Sequence, residues 1–576
     1  MRKLTSEDTS YRGSWFTVAL LLSLAELFSG CGQGGHQAVV KHVSGAPSYE
    51  DFESIPIALE PVWSPTGQEL LYMASTMVRK EFRIYRVSAE GGAPQLLLDD
   101  VTAGEPAWSP DGRRIAFTSK RSGRPQVWLM NRDGTGLEQL TRSSAEFTGQ
   151  ASWSPNGKEV AFFSIPKPQI WVISLADRKP RPFAVGNHPA WSPDGKRIAF
   201  VEVASETNSV TVKDVATGAV KNLRCSQTMS GDNPAMPRVS WSADGQHLIS
   251  AILTNGCWQI IVIDVGKDAL EAMSSLDGSI LSQTVSPDGQ RIACSIEDTD
   301  HPPSIQVRAA NGTDKKQITA VPAFVRAKLV TYTSADGLKI PAFLYLPKAD
   351  TARLPAIVWL HGGAHGFAGN QFDDQIQYFA AHGFVVLAVN FRSSAGFGPD
   401  LARLDPTGKK QMEDVVASTA YLKTVSGVDP NRIAVLGQSG GALLALFAIT
   451  HEPGLFAAAV DFYGPTDLVT WYKNSRESRA MLIAILGGTP TEKPDAYRAA
   501  SPDKFVENIR TPLLIVHGDA DAAVPISQAL ELAKLLQKAN KRFELVRIEG
   551  GDHGFRTRRA EALERTFVFL SNTLRN

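Results

Sequence analysis

The stretch Ile433-Ala-Val-Leu-Gly-Gln-Ser-Gly-Gly441 decides the fold of the C-terminal half of the chain. Its first four residues are apolar and predict a buried strand, and residues 442–449 form an apolar helical run. A G-x-S-x-G motif between a strand and a helix predicts a sharp turn that presents the hydroxyl of Ser439 at the carboxyl edge of a sheet. The glycines relieve clashes in such a turn, and the N-terminus of the helix favours developing negative charge.

Outward from this motif, apolar strands alternate with helical segments. Pro355–Leu360, Phe384–Val389 and Leu513–Val516 are continuous apolar runs. Gln411–Val425 instead has apolar residues at helical spacing. Because apolar strands that alternate with helices indicate a parallel sheet covered on both faces, the sequence predicts an α/β domain over residues 328–576.

An acidic loop follows the predicted strand at 513–516. Its sequence, His517-Gly-Asp-Ala-Asp521, contains two aspartates. A catalytic triad needs one carboxylate to orient a histidine and to stabilise its cationic form. Asp519 and Asp521 therefore compete for this role, and the alternative for Asp519 is hydrogen bonding within the loop.

A histidine follows in the segment Gly550-Gly-Asp-His-Gly-Phe555, between a predicted strand at 543–548 and the last helix. His553 can accept the proton of a serine and return it to a leaving group. The chain order serine, aspartate, histidine is that of the α/β-hydrolase fold. The sequence therefore predicts this fold, with Ser439 as the nucleophile and His553 as the base.

Two backbone N–H groups are needed to stabilise an oxyanion. Gly440, the residue after the nucleophile, offers one of them. The second is expected from the turn His361-Gly-Gly363, where the N–H of Gly363 is the candidate. Turn geometry alone is the alternative explanation of these glycines.

The first half of the chain contains an internal repeat. A five-residue phrase of the type Trp-Ser-Pro-Asp-Gly recurs at steps of 45, 45, 38, 50 and 44 residues. Its copies start at Trp63, Trp108, Trp153, Trp191, Trp241 and Val285. Such a period fits a four-stranded propeller blade, and Pro and Gly in the phrase supply the φ angles of a turn. We expect about six blades over residues 55–322, with each tryptophan packed between blades, each repeat aspartate in a turn, and a seventh, degenerate blade left open.

The composition and the N-terminus limit the partners. With 59 basic and 59 acidic residues, the chain lacks the excess positive charge that nucleic-acid binding needs. Arg2, Lys3 and the short apolar run 15–25 resemble an export signal. The sequence ends this signal at Cys31, which predicts a bacterial lipoprotein, periplasmic or anchored to a membrane through lipidated Cys31. A simple cleaved signal over residues 1–31 or a single anchor is the alternative.

Three cysteines remain after Cys31. They are Cys225, Cys257 and Cys294, and no CxxC or His/Cys spacing suggests a metal site. A disulfide between Cys225 and Cys257 and free buried cysteines are both compatible with the sequence. We expect neither a metal nor a cofactor.

Taken together, these motifs resemble the prolyl oligopeptidase family of serine peptidases, especially its bacterial acylaminoacyl-peptidase and dipeptidyl-peptidase-like members with an N-terminal TolB-like propeller. The phrases that carry the resemblance are His361–Gly366, Val389–Gly398, Gly437–Gly441, His517–Asp521 and Asp552–Gly554. The resemblance implies a triad of Ser439, Asp521 and His553. It also implies short peptide substrates, an acyl-enzyme on the serine, and a propeller that caps the active site.

Some positions depart from the family pattern. Ala523 stands where relatives often place an Arg or Asn that contacts the substrate backbone, and Ala364 replaces a usual proline. Gly440 stands where dipeptidyl peptidases often have tyrosine, and the double-Glu motif of some of these enzymes is missing. These departures leave the exopeptidase type and the P1 preference open.

The resemblance also suggests residues for the pocket of the substrate side chain. Its wall is expected to include Tyr472 and Val524, with Tyr463 and Trp471 nearby. Core packing is the alternative for each aromatic residue.

Three functions compete on this sequence. The first is a peptidase, and the second is an esterase or other acyl hydrolase, toward which Ala523 points. The third is a propeller binding protein that has lost hydrolase activity, against which the intact serine, aspartate and histidine argue. The oligomeric state is left open.

Overall fold

The computed structural model describes residues 47–77, 81–203, 208–223, 238–274, 276–347, 353–405, 407–556 and 558–574. The predicted signal with Cys31, and Cys225 of the candidate disulfide, lie outside the described residues. Within these ranges the chain divides into two compact units. The first contains Pro56–Thr76 and residues 81–322, and the second contains residues 47–55, Met77 and residues 323–574.

The first unit is a six-bladed β-propeller, in which each blade is a four-stranded antiparallel sheet in sequential strand order. Blades one to three are β1 Pro56–Trp63, β2 Glu69–Thr76, β3 Arg83–Ser88, β4 Gln95–Leu98; β5 Gly104–Trp108, β6 Arg114–Ser119, β7 Gln126–Asn131, β8 Glu138–Gln139; β9 Phe147–Trp153, β10 Glu159–Ile165, β11 Gln169–Ser174, β12 Pro180–Val185. Blades four to six are β13 Asn187–Trp191, β14 Arg197–Val203, β15 Asn208–Asp214, β16 Val220–Leu223; β17 Ser240–Trp241, β18 His247–Thr254, β19 Cys257–Asp264, β20 Ala269–Met273; β21 Ser279–Val285, β22 Arg291–Glu297, β23 Ser304–Ala309, β24 Lys316–Gln317.

The repeated phrase forms the turn between the first two strands of every blade. In the second blade, the hydroxyl of Ser109 donates to Asp111 at 2.6 Å and accepts the backbone N–H of Arg114 at 2.9 Å. Gly112 closes this turn at φ 67°, a conformation that glycine adopts without strain. The aspartate is therefore a turn residue, as the sequence predicts.

The repeat tryptophans lie between blades. The indole N–H of Trp153 donates to the carbonyl of Ala107 in the preceding blade at 3.1 Å. The first and last blades meet in the same way, because Trp63 donates to the carbonyl of Thr284 at 3.2 Å. The guanidinium of Arg291 covers the ring of Trp63 at 4.7 Å, which adds a cation–π contact to this closure.

The second unit is an α/β-hydrolase fold built on one eight-stranded sheet. Its strands are β25 Ala327–Thr333, β26 Lys339–Tyr345, β27 Leu354–Leu360, β28 Val385–Val389, β29 Val428–Gln438, β30 Ala458–Phe462, β31 Leu513–Gly518 and β32 Phe543–Ile548, in the order β25-β26-β28-β27-β29-β30-β31-β32. Strands β28 to β32, with β27, run parallel, whereas β25 and β26 are antiparallel. The predicted parallel strands are confirmed, and the sequence did not predict β25 and β26, between which a tight turn at Ser334–Gly337 reverses the chain.

Helices cover both faces of this sheet. They are α1 Tyr49–Glu53, α2 Asp374–Ala381, α3 Pro399–Ala402, α4 Lys409–Thr424, α5 Gly440–His451, α6 Leu468–Asn474, α7 Arg476–Leu486, α8 Pro494–Ala499, α9 Ser527–Lys538 and α10 Arg559–Leu574, with a 3₁₀ helix at Pro502–Asn508. One apolar layer joins α1, α2 and α10 to the sheet, and a second joins α4, α5 and α9. The sheet core is therefore closed on both sides.

The short helix α1 precedes the propeller in sequence but belongs to the second unit. Ser48 caps it through a reciprocal hydrogen-bond pair with Asp51. Tyr49 and Phe52 are buried in the apolar layer around α2. The sequence does not predict this helix, because five residues carry too little periodicity. None of the helices in the described ranges is both long and apolar enough to cross a membrane.

Candidate active site

Ser439 lies at the tip of the turn between β29 and α5, at φ 51° and ψ −114°. This backbone conformation is strained for any residue with a side chain. The flanking glycines make the turn fit. A Cβ on Gly437 would lie 2.1 Å from the carbonyl oxygen of Gly441, and a Cβ on Gly441 would lie 2.3 Å from that of Leu360. The spacing of the motif is therefore a steric requirement of this turn.

A hydrogen-bond chain joins the three residues predicted as a triad. Nε2 of His553 lies 3.1 Å from the hydroxyl oxygen of Ser439. Nδ1 of the same imidazole lies 2.7 Å from Oδ2 of Asp521. Because a carboxylate only accepts hydrogen bonds, Nδ1 carries the proton and Nε2 is free to accept the serine proton. This arrangement can activate a hydroxyl as a nucleophile.

Asp521 is held rigidly by its own loop. Its side chain is fully buried, and its Oδ1 accepts the backbone N–H groups of Ala523 and Val524, both at 2.9 Å. Oδ2 remains for His553. Oδ1 is thus held by the backbone of the loop, and Oδ2 is directed toward the imidazole.

Asp519 has a different role. Its Oδ1 accepts the backbone N–H of Gly550 at 2.7 Å, and Arg547 approaches its Oδ2 at 3.9 Å. These contacts join the acid loop to the segment that carries His553. Of the two competing aspartates, Asp521 is therefore the one in contact with the imidazole.

The two candidate oxyanion donors lie side by side next to Ser439. Gly440 is the first residue of α5, where the backbone N–H has no partner within the helix. A Cβ on Gly440 would lie 3.1 Å from the carbonyl oxygen of Gly363 and 3.5 Å from its nitrogen. Gly363 itself adopts φ 81°. The turn at 361–363 therefore packs directly against the turn at Ser439.

His361 fixes this turn, a role that the sequence does not predict. Its Nε2 lies 2.7 Å from the hydroxyl of Ser394, which in turn donates to the carbonyl of Phe391 at 2.6 Å. The imidazole stacks on the ring of Phe391 with centroids 4.3 Å apart. Burial lowers the pKa of His361 to about 4, so the ring is neutral at physiological pH.

The four residues predicted for the substrate pocket occupy different environments. Trp471 and Val524 are buried in an apolar cluster formed by α5 to α8, and the indole N–H of Trp471 donates to the carbonyl of Ala523 at 2.9 Å. Tyr472 packs on the same cluster and keeps part of its surface exposed. Tyr463 is buried elsewhere, against His553, with ring centroids 4.6 Å apart.

Two further buried titratable groups lie close to the triad. His517 donates through Nε2 to the carbonyl of Val524 at 2.8 Å and lies 3.5 Å from Oδ2 of Asp521, and burial lowers its pKa. Asp461, at the end of β30, accepts the backbone N–H of Gly464 at 2.8 Å, and burial raises its pKa to about 7. A polar residue at the carboxyl end of a central strand is the sequence signal that could have identified both.

Groups of side chains that could hold a metal ion occur in the propeller. Asp264 and Glu271 both pair with Lys267 at 2.8 Å, and Glu271 also lies 3.0 Å from His247. The other group, at 298–301, is connected by hydrogen bonds within its own loop. These partners occupy the oxygen atoms that a metal would need, so we assign no ligand to either group.

Comparison with known proteins agrees with this geometry. The profile described as prolyl oligopeptidase family matches residues 370–576, which include all three triad positions. The profile described as TolB beta propeller domain matches residues 39–182 and 185–342.

Over the aligned segments, the relatives are 25–29% identical to this chain. The uncharacterized peptidase YuxL of Bacillus subtilis is 29% identical over 48% of this chain and 43% of its own length. Acylamino-acid-releasing enzyme 1 of Oryza sativa is 26% identical over 52% of this chain and 40% of its own length. Dipeptidyl aminopeptidase BIII of Pseudoxanthomonas mexicana is 25% identical over 52% and 46%. The chain thus spans less than half the length of each of these relatives.

Solved structures share the fold. The acylaminoacyl peptidase of Pyrococcus horikoshii superimposes with a TM-score of 0.74 at 18% identity, over 92% of this chain and 97% of the other. An acylaminoacyl peptidase in complex with Z-Gly-Gly-Phe-chloromethyl ketone gives a TM-score of 0.73 over 91% and 97%, also at 18% identity. At this identity the likeness concerns the fold.

Proposed function

We propose that this chain, whose residues 370–576 match the prolyl oligopeptidase family, is a serine peptidase that hydrolyses short peptides through an acyl-enzyme on Ser439. The observation that carries the proposal is the hydrogen-bond chain from Ser439 through His553 to the buried carboxylate of Asp521. The relatives named as acylamino-acid-releasing enzyme and dipeptidyl aminopeptidase support a peptide substrate.

In the proposed reaction, His553 takes the proton of Ser439 as the hydroxyl oxygen attacks the peptide carbonyl. The imidazolium formed is stabilised by Asp521 and then gives its proton to the leaving amine. Water then hydrolyses the acyl-enzyme: His553 takes a proton from the water as it attacks, and returns a proton to the oxygen of Ser439 as the acid product leaves. The N–H groups of Gly440 and Gly363 stabilise the oxyanion of each tetrahedral intermediate.

The experiment has two steps. A fluorophosphonate probe is applied to the purified full chain, and the labelled residue is mapped by mass spectrometry. Labelling at Ser439 is the expected result, and an unlabelled native protein would favour the binding protein that has lost activity. A peptide amide and an ester of the same acyl group are then compared by kcat/KM.

An esterase is the second candidate, and one observation favours it. Ala523 stands where relatives often carry a side chain that contacts the substrate backbone, and here only its N–H and carbonyl groups are engaged, with Asp521 and Trp471. Without that side chain, the backbone of a bound peptide would make one contact fewer with the enzyme. Turnover of the ester together with negligible turnover of the amide, at saturating concentrations, would replace the peptidase proposal by this one.

We also propose that the propeller restricts access to Ser439. The support is the sequence architecture, since the repeats carry no catalytic motif and the turn aspartates are engaged in turns. Exclusion of water and large substrates from the acyl-enzyme would give the propeller a role in the reaction. Partly exposed Tyr472, beside Trp471 and Val524, would then receive the substrate side chain in an apolar pocket.

Export and lipid anchoring are proposed on the sequence alone. The signal-like N-terminus that ends at Cys31 supports them. The full chain and a Cys31→Ala variant are expressed in a bacterial host that is fed a radiolabelled fatty acid. Label and membrane association are expected in the full chain and their loss in the variant, whereas a labelled variant would exclude Cys31 as the acceptor.

A further inference from the structure

Three non-glycine residues with positive φ surround His553. They are Ser439 at 51°, Tyr463 at 46° and Phe555 at 57°. A bulky residue at positive φ is an outlier that persists only where the surroundings hold it. Such strain clusters at active sites. Two of these residues are aromatic and neither belongs to the triad, so their conformation requires its own explanation.

Hydrogen bonds on both sides hold the backbone of Tyr463. Its N–H donates to the carbonyl of Val516 at 3.0 Å, at the end of the strand that leads to the triad acid. The next N–H, of Gly464, donates to Oδ1 of buried Asp461 at 2.8 Å. A Cβ on Gly464 would lie 2.7 Å from the Cβ of Ala442, so this turn rests directly on helix α5.

The side chain of Tyr463 is turned toward the base. Its ring meets the imidazole of His553 at 4.6 Å and 62°, and the ring of Phe555 at 4.9 Å and 73°, both edge-to-face. Phe555 packs in the same way on Phe462 at 5.6 Å. Tyr463 is only 5% exposed and Phe555 only 1%, which leaves little of either ring for a substrate.

We propose that Tyr463 is a positioning residue for the general base and not a wall of the substrate pocket. The inference rests on the proposed function, because it assigns a partner to His553 in that reaction. The imidazole is 30% exposed and has two hydrogen-bond partners in its plane, Ser439 and Asp521. Hydrogen bonds in the plane do not prevent the ring from tilting about the line that joins them, and contact with an aromatic ring does.

The experiment compares Tyr463→Phe with Tyr463→Leu in the full chain. Leucine should lower kcat and the rate of inactivation by the fluorophosphonate by a similar factor, roughly 10–100-fold, because displacing a reacting group slows both reactions. KM should change less than threefold. Phenylalanine keeps the ring and should stay within threefold of the native rates. Tyr421→Leu, which removes a half-buried tyrosine stacked on Tyr332, is the matched control and should leave both rates unchanged.

The pH profile gives a second readout. A looser contact between His553 and Asp521 stabilises the imidazolium less, so the pKa on the acidic limb of kcat/KM should fall in Tyr463→Leu. If leucine prevents folding, Tyr463→Asn is used instead, because asparagine tolerates positive φ. A raised KM that depends on the size of the P1 side chain, with unchanged inactivation by the probe, would overturn the inference. Failure of the probe to label the native protein would contradict the proposed function itself.

Discussion

Oδ1 of Asp519 and the backbone N–H of Gly550 lie 2.7 Å apart, which joins the acid loop to the histidine loop without involving the triad. Asp519 and Asp521, which are separated by one residue, therefore have different roles. One supports the loops, and the other contacts the imidazole of His553.

The first prediction follows from this division. Asp521→Asn should lower kcat by roughly 10⁴-fold, because an amide at this position favours the wrong imidazole tautomer. Asp519→Asn keeps an acceptor oxygen for Gly550 and should lower kcat less than tenfold. Steady-state kinetics of both variants with one peptide substrate decides the matter, and a larger loss in the Asp519 variant would mean that the wrong carboxylate has been assigned.

The second prediction concerns the strain at Ser439. Ser439→Ala should remove turnover, by on the order of 10⁵–10⁶ in kcat. Ser439→Gly should be equally inactive but more stable than the alanine variant by ~1 kcal/mol, since only glycine adopts φ 51° freely. Differential scanning calorimetry of the two variants measures this difference. Equal transition temperatures would contradict the idea that the turn is strained.

The third prediction uses the pKa of Asp461, which burial raises from 3.8 to about 7. Between pH 3.8 and pH 7, Asp461 is therefore protonated in the folded state and ionised in the unfolded state. The stability that the bound proton provides is fully present below pH 4 and is lost as the pH rises through 7. Asp461→Asn removes the titration and keeps an acceptor for Gly464. It should be more stable than the native chain at pH 8, by on the order of 2–4 kcal/mol, with a smaller difference at pH 5.

Urea denaturation followed by tryptophan fluorescence at both pH values measures this effect. Asp495→Asn, at an exposed position in α8, is the control and should show no such dependence. A difference between native chain and Asp461→Asn that is independent of pH would mean that the buried carboxyl does not titrate in this range.

Local sequence signals predicted most of this architecture. The Trp-Ser-Pro-Asp-Gly phrase is a turn whose hydrogen bonds stay within a few residues, so its recurrence predicted about six blades, and the structure has six in the described residues. The turn at Ser439 could also be predicted from the sequence, because its glycines avoid clashes that a Cβ would make with backbone atoms of the same turn and of the neighbouring strand. In both cases the motif is a short run of adjacent residues, so it can be recognised in the sequence.

The parts that the sequence could not supply depend on contacts between distant segments. The sequence did not reveal that the ring of Tyr463 contacts both His553 and Phe555. The sequence showed His361 only as the first residue of a glycine turn. Its contacts with Ser394 and Phe391 depend on the fold. Burial of a single side chain depends on which segments the fold brings together, and no periodicity in one sequence encodes that.

The last prediction tests whether the propeller restricts access. A short chromogenic peptide should be cleaved, whereas a stable folded protein should be spared at equal enzyme concentration. The proposed restriction would have this effect because a folded chain cannot present an extended segment to a serine that only short peptides reach. The matched control is the same protein unfolded by reduction and carboxymethylation, which should be cut faster than its folded form. Efficient cleavage of the folded protein would show that the propeller does not control entry, and the repeats would then be assigned a binding role.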